Sequence, residues 1–219
     1  MMTTTWQPEG NYYNKYESSN PVARRMMQGF LRAFDELSAA AQVATVYEVG
    51  CGEGHLSFRL ARRGAEVRAS DVSERLIEEA NRKAAAERLR ARFDCASVYN
   101  LTAAEGAELV VCCEVMEHLE QPEEALDVLA GLARPYLLTS VPREPLWRIL
   151  NMVRGSYWRQ WGNTPGHVQH WTSSGFLRFL GRRFDVVEMR QPLPWTMALC
   201  KVRTGAATRT APQRERVAS

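Results

Sequence analysis

Short apolar runs alternate with stretches of helical periodicity along most of this chain, and that alternation constrains its fold more than any other feature. A strand, a crossover helix and a second strand form the repeating unit of a doubly wound, mostly parallel sheet. The runs that predict strands are Val43–Val49, Glu66–Ser70, Arg92–Ala96, Glu108–Cys113, Tyr136–Val141, Phe184–Met189 and Trp195–Val202. The patterns that predict helices are His55–Arg63, Ser73–Leu89, Pro122–Arg134 and Thr172–Arg182.

The last two predicted strands follow one another without a clear helical pattern between them. Pro192 and Pro194 mark a turn at this point, which favours an antiparallel hairpin. We therefore expect an α/β fold, with a Rossmann-like, doubly wound, mostly parallel seven-stranded sheet and a C-terminal antiparallel hairpin at its edge.

The length of 219 residues suits one such domain and is too short for two. We place the domain at residues 41–203, after an N-terminal segment (1–40) whose amphipathic helix is predicted at Pro21–Leu37. That helix is expected to cover the active site, to pack against the sheet, or to do both. Residues 204–219 are polar and without pattern, so we expect a disordered tail.

The stretch 142–171 interrupts the alternation, because a connection of this length is unusual in an α/β unit. It carries Trp147, Trp158, Trp161 and Trp171. Long aromatic loops over the carboxyl end of a sheet are often lids or substrate walls. The alternative is an insertion that packs only a small core of its own, and we favour the inserted lid.

The composition is that of an ordinary globular protein, with 45% apolar and 24% charged residues. The formal net charge of +3 is spread along the chain, which argues against a nucleic-acid partner. None of the five cysteines stands in a C-x-x-C pair, so a reducing compartment is expected. The sequence has no apolar N-terminal segment and no membrane-spanning run, so we expect a cytoplasmic protein. Its oligomeric state is left open.

A glycine-rich turn joins the first predicted strand to the first helix of the domain. It reads Gly50, Gly52 and Gly54 at alternate positions, two residues after the acidic Glu48. Such glycines allow a tight turn and let a ligand lie directly against the main chain. A dinucleotide-binding fingerprint would require glycine where His55 stands. The spacing therefore argues against a nicotinamide-linked dehydrogenase.

Acidic residues lie at or near the ends of the next three predicted strands: Asp71, Asp94 and Glu114. Asp71 comes about twenty residues after the glycines, where a carboxylate in a doubly wound nucleoside site accepts hydrogen bonds from the ribose hydroxyls. Considered alone, Asp71 is equally well explained as a cap for the following helix. Taken in order, the glycine turn and the three acidic strand ends are a more specific signal than any one of them alone.

With these segments in order, Val43–Val141 resembles the class I S-adenosylmethionine (SAM)-dependent methyltransferase superfamily. The likeness is to the small-molecule branch that includes the ubiquinone and menaquinone biosynthesis methyltransferases. It implies that SAM is the cofactor and that a small molecule accepts the methyl group, with O-methylation slightly favoured. The implied contacts are Glu48 with the methionine amine, Gly50, Cys51, Gly52 and Gly54 with the methionine and ribose portion, Asp71 and Val72 at the ribose, Asp94 and Cys95 at the adenine, and Glu114 under the methionine.

A hydroxyl acceptor would also need a general base. The candidate catalytic residues are His118, His167 and His170, because an unperturbed imidazole pKa of about 6.5 suits proton transfer near neutral pH. Each is also explained as a helix-start or core histidine. For His118 the structural explanation is favoured, because Glu-His-Leu after this strand is common in the family without evident catalysis.

The motif E-x-x-E-H, formed by Glu114, Glu117 and His118, suggests a metal site that His170 would complete if the lid folds back over the fourth strand. Similar clusters hold a divalent ion in some ubiquinone-pathway O-methyltransferases and in small-RNA 3′-terminal ribose methyltransferases. A divalent cation is therefore an optional second cofactor. A metal-dependent RNA ribose methyltransferase is the alternative function, and a nucleoside-binding protein without turnover is a third hypothesis.

Overall fold

The fold is built around one β-sheet. The computed structural model describes residues 20–147, 150 and 168–203, and within them seven strands form a single sheet. The strands are β1 (Thr45–Val49), β2 (Glu66–Asp71), β3 (Ala91–Cys95), β4 (Ala107–Cys113), β5 (Ala133–Pro142), β6 (Phe184–Arg190) and β7 (Trp195–Val202).

The strand order is β3-β2-β1-β4-β5-β7-β6. The first five strands are parallel, while β7 runs antiparallel to both β5 and β6. The chain winds from β1 towards one edge and then returns to place β4 on the other side of β1. In doubly wound sheets, ligands bind at such a switch point, beyond the carboxyl ends of the strands. The predicted fold class is confirmed. In the C-terminal hairpin, β7 pairs with β5 and β6 forms the edge of the sheet.

Helices cover both faces of the sheet. Phe34 and Leu56 belong to a core cluster beneath the first two helices. Ile77 of the third helix belongs to a separate, smaller cluster. Leu126 and Phe176 belong to the core on the opposite face. Among the described residues the α-helices are α1 (Pro21–Ala41), α2 (His55–Ala61), α3 (Glu74–Ala86), α4 (Pro122–Leu132) and α5 (Ser173–Leu180).

The N-terminal helix α1 is an integral part of the core. Asn20 caps it by accepting a hydrogen bond from the Val22 amide at 2.8 Å. Phe30, Phe34 and Leu37 are buried against the sheet. Of the two explanations offered by the sequence, packing against the sheet is therefore observed.

Several predicted boundaries were wrong by a few residues. The helix predicted to run through Arg134 ends at Leu132, and β5 begins immediately at Ala133. Ala133 already pairs with Ala107 of β4, so the backbone groups that follow the helix form hydrogen bonds with the neighbouring strand. Helix α1 continues beyond the predicted Leu37, to Ala41.

The two ends of the predicted lid meet beside the carboxyl end of β5. The Glu144 amide donates to the Trp171 carbonyl oxygen at 2.9 Å, and Arg143 forms an isolated bridge with Trp171. Trp158 and Trp161 lie outside the described residues, as does the predicted tail (204–219). In the part of the chain that is described, no helix is long and apolar enough to cross a membrane.

Candidate active site

The glycine turn is held against the end of β2. The amides of Gly50 and Cys51 both donate to the Ser70 carbonyl oxygen, at 2.8 and 3.0 Å. Gly50, Gly52 and Gly54 all have positive φ, at 70°, 52° and 76°. An L-residue with a side chain is strained in this left-handed region, which explains three glycines in five positions.

Two of these glycines also lie too close to neighbours for a side chain. A Cβ at Gly50 would lie 2.4 Å from Cγ2 of Val115, and one at Gly54 would lie 3.0 Å from the rings of Phe58 and Phe93. At Gly52, by contrast, a Cβ would meet nothing within 4 Å. The Gly52 position therefore borders open space at the carboxyl edge of the sheet.

Glu48 is a buried carboxylate within β1. Its Oε2 accepts a 2.5 Å hydrogen bond from the hydroxyl of Ser57, in the first turn of α2. Burial raises the pKa of Glu48 from 4.5 to about 8, although the hydrogen bonds from Ser57 lower it. A buried acid beside a glycine-rich turn is suited to a cationic group.

Asp71 ties the end of β2 to the glycine turn. Its Oδ2 accepts from the Gly52 amide at 2.8 Å, and its Oδ1 accepts from the Ser73 amide at 3.0 Å. Both proposed explanations are thus compatible, because the carboxylate fixes the start of α3 and still has acceptor capacity for further donors. The contact with Ser73 satisfies a backbone amide beside the helix start.

Val72, Asp94 and Cys95 lie together at the ends of β2 and β3. All three are exposed, and the Cys95 thiol lies 3.6 Å from the Val72 carbonyl oxygen. Asp94 forms an ion pair with Arg92, two residues before it on the same edge strand, at 3.1 Å. Cys51 differs from Cys95, because it is buried and its thiol pKa is raised by desolvation.

Glu114 follows β4 with an unusual backbone conformation. Its φ is 59°, and its amide donates to the Ser140 carbonyl oxygen at 3.1 Å. Its carboxylate accepts from the Ser140 hydroxyl at 3.0 Å and from the Trp195 indole N–H at 2.5 Å. Glu114 therefore joins the ends of β4, β5 and β7.

The return of the predicted lid reaches the turn after β4. The amides of Val168 and Gln169 both donate to the Glu117 carbonyl oxygen, at 2.9 and 3.0 Å. His170 follows, with its Nδ1 3.5 Å from a carboxylate oxygen of Glu144. His118 is half-buried in the 3₁₀ turn Met116–His118. His167, the remaining candidate base, lies outside the described residues.

The predicted metal cluster receives no support from the described residues. They include no group of three or more His, Cys, Asp or Glu side chains arranged to hold a metal ion. The carboxylate of Glu114 is occupied by Ser140 and Trp195, and His170 lies beside Glu144. Val168 and Gln169, at the end of the segment, reach the turn after β4 through the Glu117 main chain. The described residues do not gather Glu114, Glu117, His118 and His170 into a ligand set.

Sequence reasoning missed three side chains at this edge: Ser57, Ser140 and Trp195. A hydroxyl three residues after the last glycine could have suggested Ser57, since it lies in the first turn of the helix that follows the glycines. Trp195 gave no such signal, because it is 81 residues from Glu114 and only the insertion of β7 beside β5 brings them together.

A separate open cavity of about 550 Å³ lies between the start of α4 and α5. Trp171, Arg178 and Phe179 are among its lining residues. None of the predicted cofactor-binding residues lines it, so it is distinct from the cluster around the glycine turn.

Comparison with known proteins agrees with this architecture. A family described as "Methyltransferase domain" matches residues 46–136. A ubiquinone biosynthesis O-methyltransferase from Coxiella burnetii is 31% identical over 151 residues, which cover 62% of this chain and 64% of that protein. The chain therefore spans less than two thirds of the length of this relative.

Solved structures share the fold at low sequence identity. Magnesium protoporphyrin IX methyltransferase (ChlM) from Synechocystis, with bound S-adenosylhomocysteine (SAH), superposes with a TM-score of 0.67 at 22% identity, covering 86% of this chain and 91% of that one. The [4+2]-cyclase SpnF superposes with a TM-score of 0.60 at 14% identity, covering 80% of this chain and 82% of that one. Because a cyclase shares it, the fold does not define the reaction. Residues 46–136 therefore resemble a methyltransferase domain, and the glycine turn and the strand order agree with that resemblance.

Proposed function

We propose that this protein transfers a methyl group from SAM to an oxygen atom of a small-molecule acceptor. The observation that carries the proposal is the group formed by Glu48, Gly52 and Asp71 at the carboxyl ends of β1 and β2. It combines a buried acid, a glycine bordering open space and a carboxylate with spare acceptor capacity. The O-methyltransferase activity named for the Coxiella relative supports the choice of oxygen.

These residues fit SAM. In this proposal Glu48 faces the ammonium group of the methionine portion, and the turn at Gly50, Gly52 and Gly54 admits that portion without a clash. Asp71 accepts the ribose hydroxyls. Asp94 and the Cys95 main chain border the adenine, with Val72 beside it. SAM itself supplies a methyl group already activated on a sulfonium sulfur, so the protein has to bind, align and exclude water.

The acceptor side is formed by aromatic residues above β5 and β7. Trp147, Trp195 and Phe30 lie in contact there, with ring centroids 5.1 Å apart for Phe30 and Trp195. The segment 142–171 begins and ends at this edge. We propose that it encloses an apolar or aromatic acceptor, because flat apolar walls favour such molecules and keep water from the methyl group.

We propose His170 as the general base for a hydroxyl acceptor. An acidic neighbour can hold an imidazole in one orientation, and Glu144 lies 3.5 Å from Nδ1 of His170. His118 is the second candidate. The RNA ribose alternative depends on a metal cluster that the described residues do not form, and we do not propose it.

The test is direct measurement of methyl transfer. Purified protein is incubated with SAM and separate panels of phenols, alcohols, carboxylic acids and amines, and both SAH and methylated products are measured by mass spectrometry. We expect turnover with acceptors that offer an oxygen atom, and a loss of more than tenfold in Asp71→Ala. Asp185→Ala, on the distant edge strand β6, is the matched control and should retain full turnover.

Two results would contradict the proposal. Methylation confined to amines would refute the choice of oxygen. Tight SAH binding with no turnover on any panel would favour a nucleoside-binding protein that lacks methyl transfer.

A further inference from the structure

Trp195 is a buried side chain at the start of β7, opposite Pro142 of β5. Its indole N–H donates to Oε2 of Glu114 at 2.5 Å, and the Ser140 hydroxyl donates to Oε1 at 3.0 Å. Both oxygens of the Glu114 carboxylate are therefore held by donors from neighbouring strands. Hydrogen bonds to an ionised group are the stronger kind, so this pair fixes the direction of the side chain.

The ring of Trp195 makes two aromatic contacts. Phe30 of α1 packs edge-on against it, with centroids 5.1 Å apart and an interplanar angle of 68°. Trp147, in the segment after β5, lies 5.9 Å away at 53°. One residue thus contacts the N-terminal helix, the base of the predicted lid and the acid that follows β4.

The backbone of Glu114 has a strained conformation that surrounding contacts must hold. With φ at 59° it occupies a backbone region that a side chain disfavours, and such residues persist only where surrounding contacts hold them. The Ser140 and Trp195 donors supply two of those contacts. Neither residue was expected at the site from the sequence.

We propose that Trp195 is a positioning residue: its indole N–H fixes the Glu114 side chain in place beside the cofactor site, and its ring couples that position to the aromatic acceptor wall. The proposal rests on the proposed function and adds to it that Glu114 lies under the methionine portion of SAM, as the family resemblance implies. Trp195 itself is not assigned any contact with the reacting atoms.

The test is a double-mutant cycle read by calorimetric titration with SAH. Trp195→Phe removes the N–H and keeps an aromatic ring, and Glu114→Gln removes the charge. We expect Trp195→Phe to weaken SAH binding about tenfold, because the Glu114 carboxylate loses a donor that fixes its position. Added to Glu114→Gln, it should cause no further loss, because Trp195 acts through that carboxylate.

Phe179→Leu is the matched control. Phe179 also packs against a tryptophan ring, that of Trp171, at 5.5 Å, but on the other face of the sheet. Its SAH affinity should stay within about twofold of wild type, since Phe179 lies apart from the Glu114 carboxylate. Thermal unfolding checks that each variant is folded. If Trp195→Phe does not fold, replacement of Trp195 by benzothienylalanine keeps the fused ring and removes only the N–H.

Independent, additive losses from the Trp195 and Glu114 variants would overturn the proposal, because they would show that Trp195 acts by another route. Unchanged SAH binding in Glu114→Gln, with binding lost in Asp71→Ala, would also overturn it while leaving the proposed function standing. Absence of SAH binding in the folded wild type would overturn the proposed function itself.

Discussion

The hydroxyl of Ser57 donates a 2.5 Å hydrogen bond to the carboxylate of Glu48, between the first turn of α2 and the interior of β1. Both side chains are buried. Burial raises the pKa of Glu48 to about 8, so the unliganded protein keeps a proton on this acid at neutral pH. A cationic group bound beside Glu48 would favour its ionised form and release that proton.

SAH binding should therefore depend on pH. If the ammonium group of SAH pairs with ionised Glu48, as we propose, affinity should rise between about pH 6 and pH 8, by at most about tenfold per unit, and then level off. Calorimetry in buffers of different ionisation enthalpy should detect proton release below pH 8. Glu48→Gln should bind more weakly and show neither effect. A pH-independent affinity in the wild type, without proton release, would contradict the role assigned to Glu48.

The same acid should make the unliganded fold less stable as pH rises. Because folding raises the pKa of Glu48 above its ordinary value of 4.5, its contribution to stability is fully present below pH 4.5 and is lost as pH rises towards about 8. The free energy of unfolding of the wild type, compared with Glu48→Gln, should fall by at most about 1.4 kcal/mol per pH unit across this range. Urea unfolding at several pH values measures the difference, and parallel curves for the two proteins would refute it.

Alanine substitutions at two glycines can separate the effect of backbone strain on stability from the effect of a side chain on SAH binding. Gly52 and Gly64 both have positive φ, at 52° and 95°, and a Cβ at either would meet nothing within 4 Å. Alanine at each should cost roughly 1–2 kcal/mol of stability through backbone strain. Only Gly52→Ala should also weaken SAH binding, because its methyl group points into the space assigned to the cofactor. Equal SAH affinity in the two variants, measured by calorimetry, would exclude that assignment.

His170 should affect turnover rather than cofactor binding. If it removes the proton from a hydroxyl acceptor, His170→Gln should lower kcat by about 100-fold or more, and leave the Kd for SAH unchanged. His118→Gln is the comparison, with a smaller expected effect. Steady-state kinetics on an active acceptor decide between them. A larger loss in His118→Gln would move the role of general base to His118.

The fold was predictable because its signals are local. Strand–helix alternation and the turn at Gly50, Gly52 and Gly54 each lie within short stretches of sequence, and the sheet confirms them. The contact between Glu114 and Trp195 was not predictable in this way. It depends on β7 entering the sheet beside β5, a tertiary event that no local pattern encodes.

In the candidate site too, the residues of local motifs were predictable and the contacts between distant residues were not. Glu48 and Asp71 belong to continuous motifs, and the structure brings both to the glycine turn, while their roles stay predictions. The metal hypothesis combined the local motif formed by Glu114, Glu117 and His118 with the distant His170. Spacing cannot say where side chains point, and the carboxylate of Glu114 is directed towards Ser140 and Trp195.

The most direct test of the central claim is calorimetric titration of the wild type and Asp71→Ala with SAH, with Asp185→Ala as the control carboxylate. Asp71 lies against the glycine turn, whereas Asp185 pairs with Arg203 on the edge strand β6. We predict micromolar binding by the wild type and by Asp185→Ala, and a loss of more than tenfold in Asp71→Ala, from the missing ribose contacts. No binding by folded wild type, or equal binding by all three proteins, would contradict the assignment of this edge of the sheet as a SAM site.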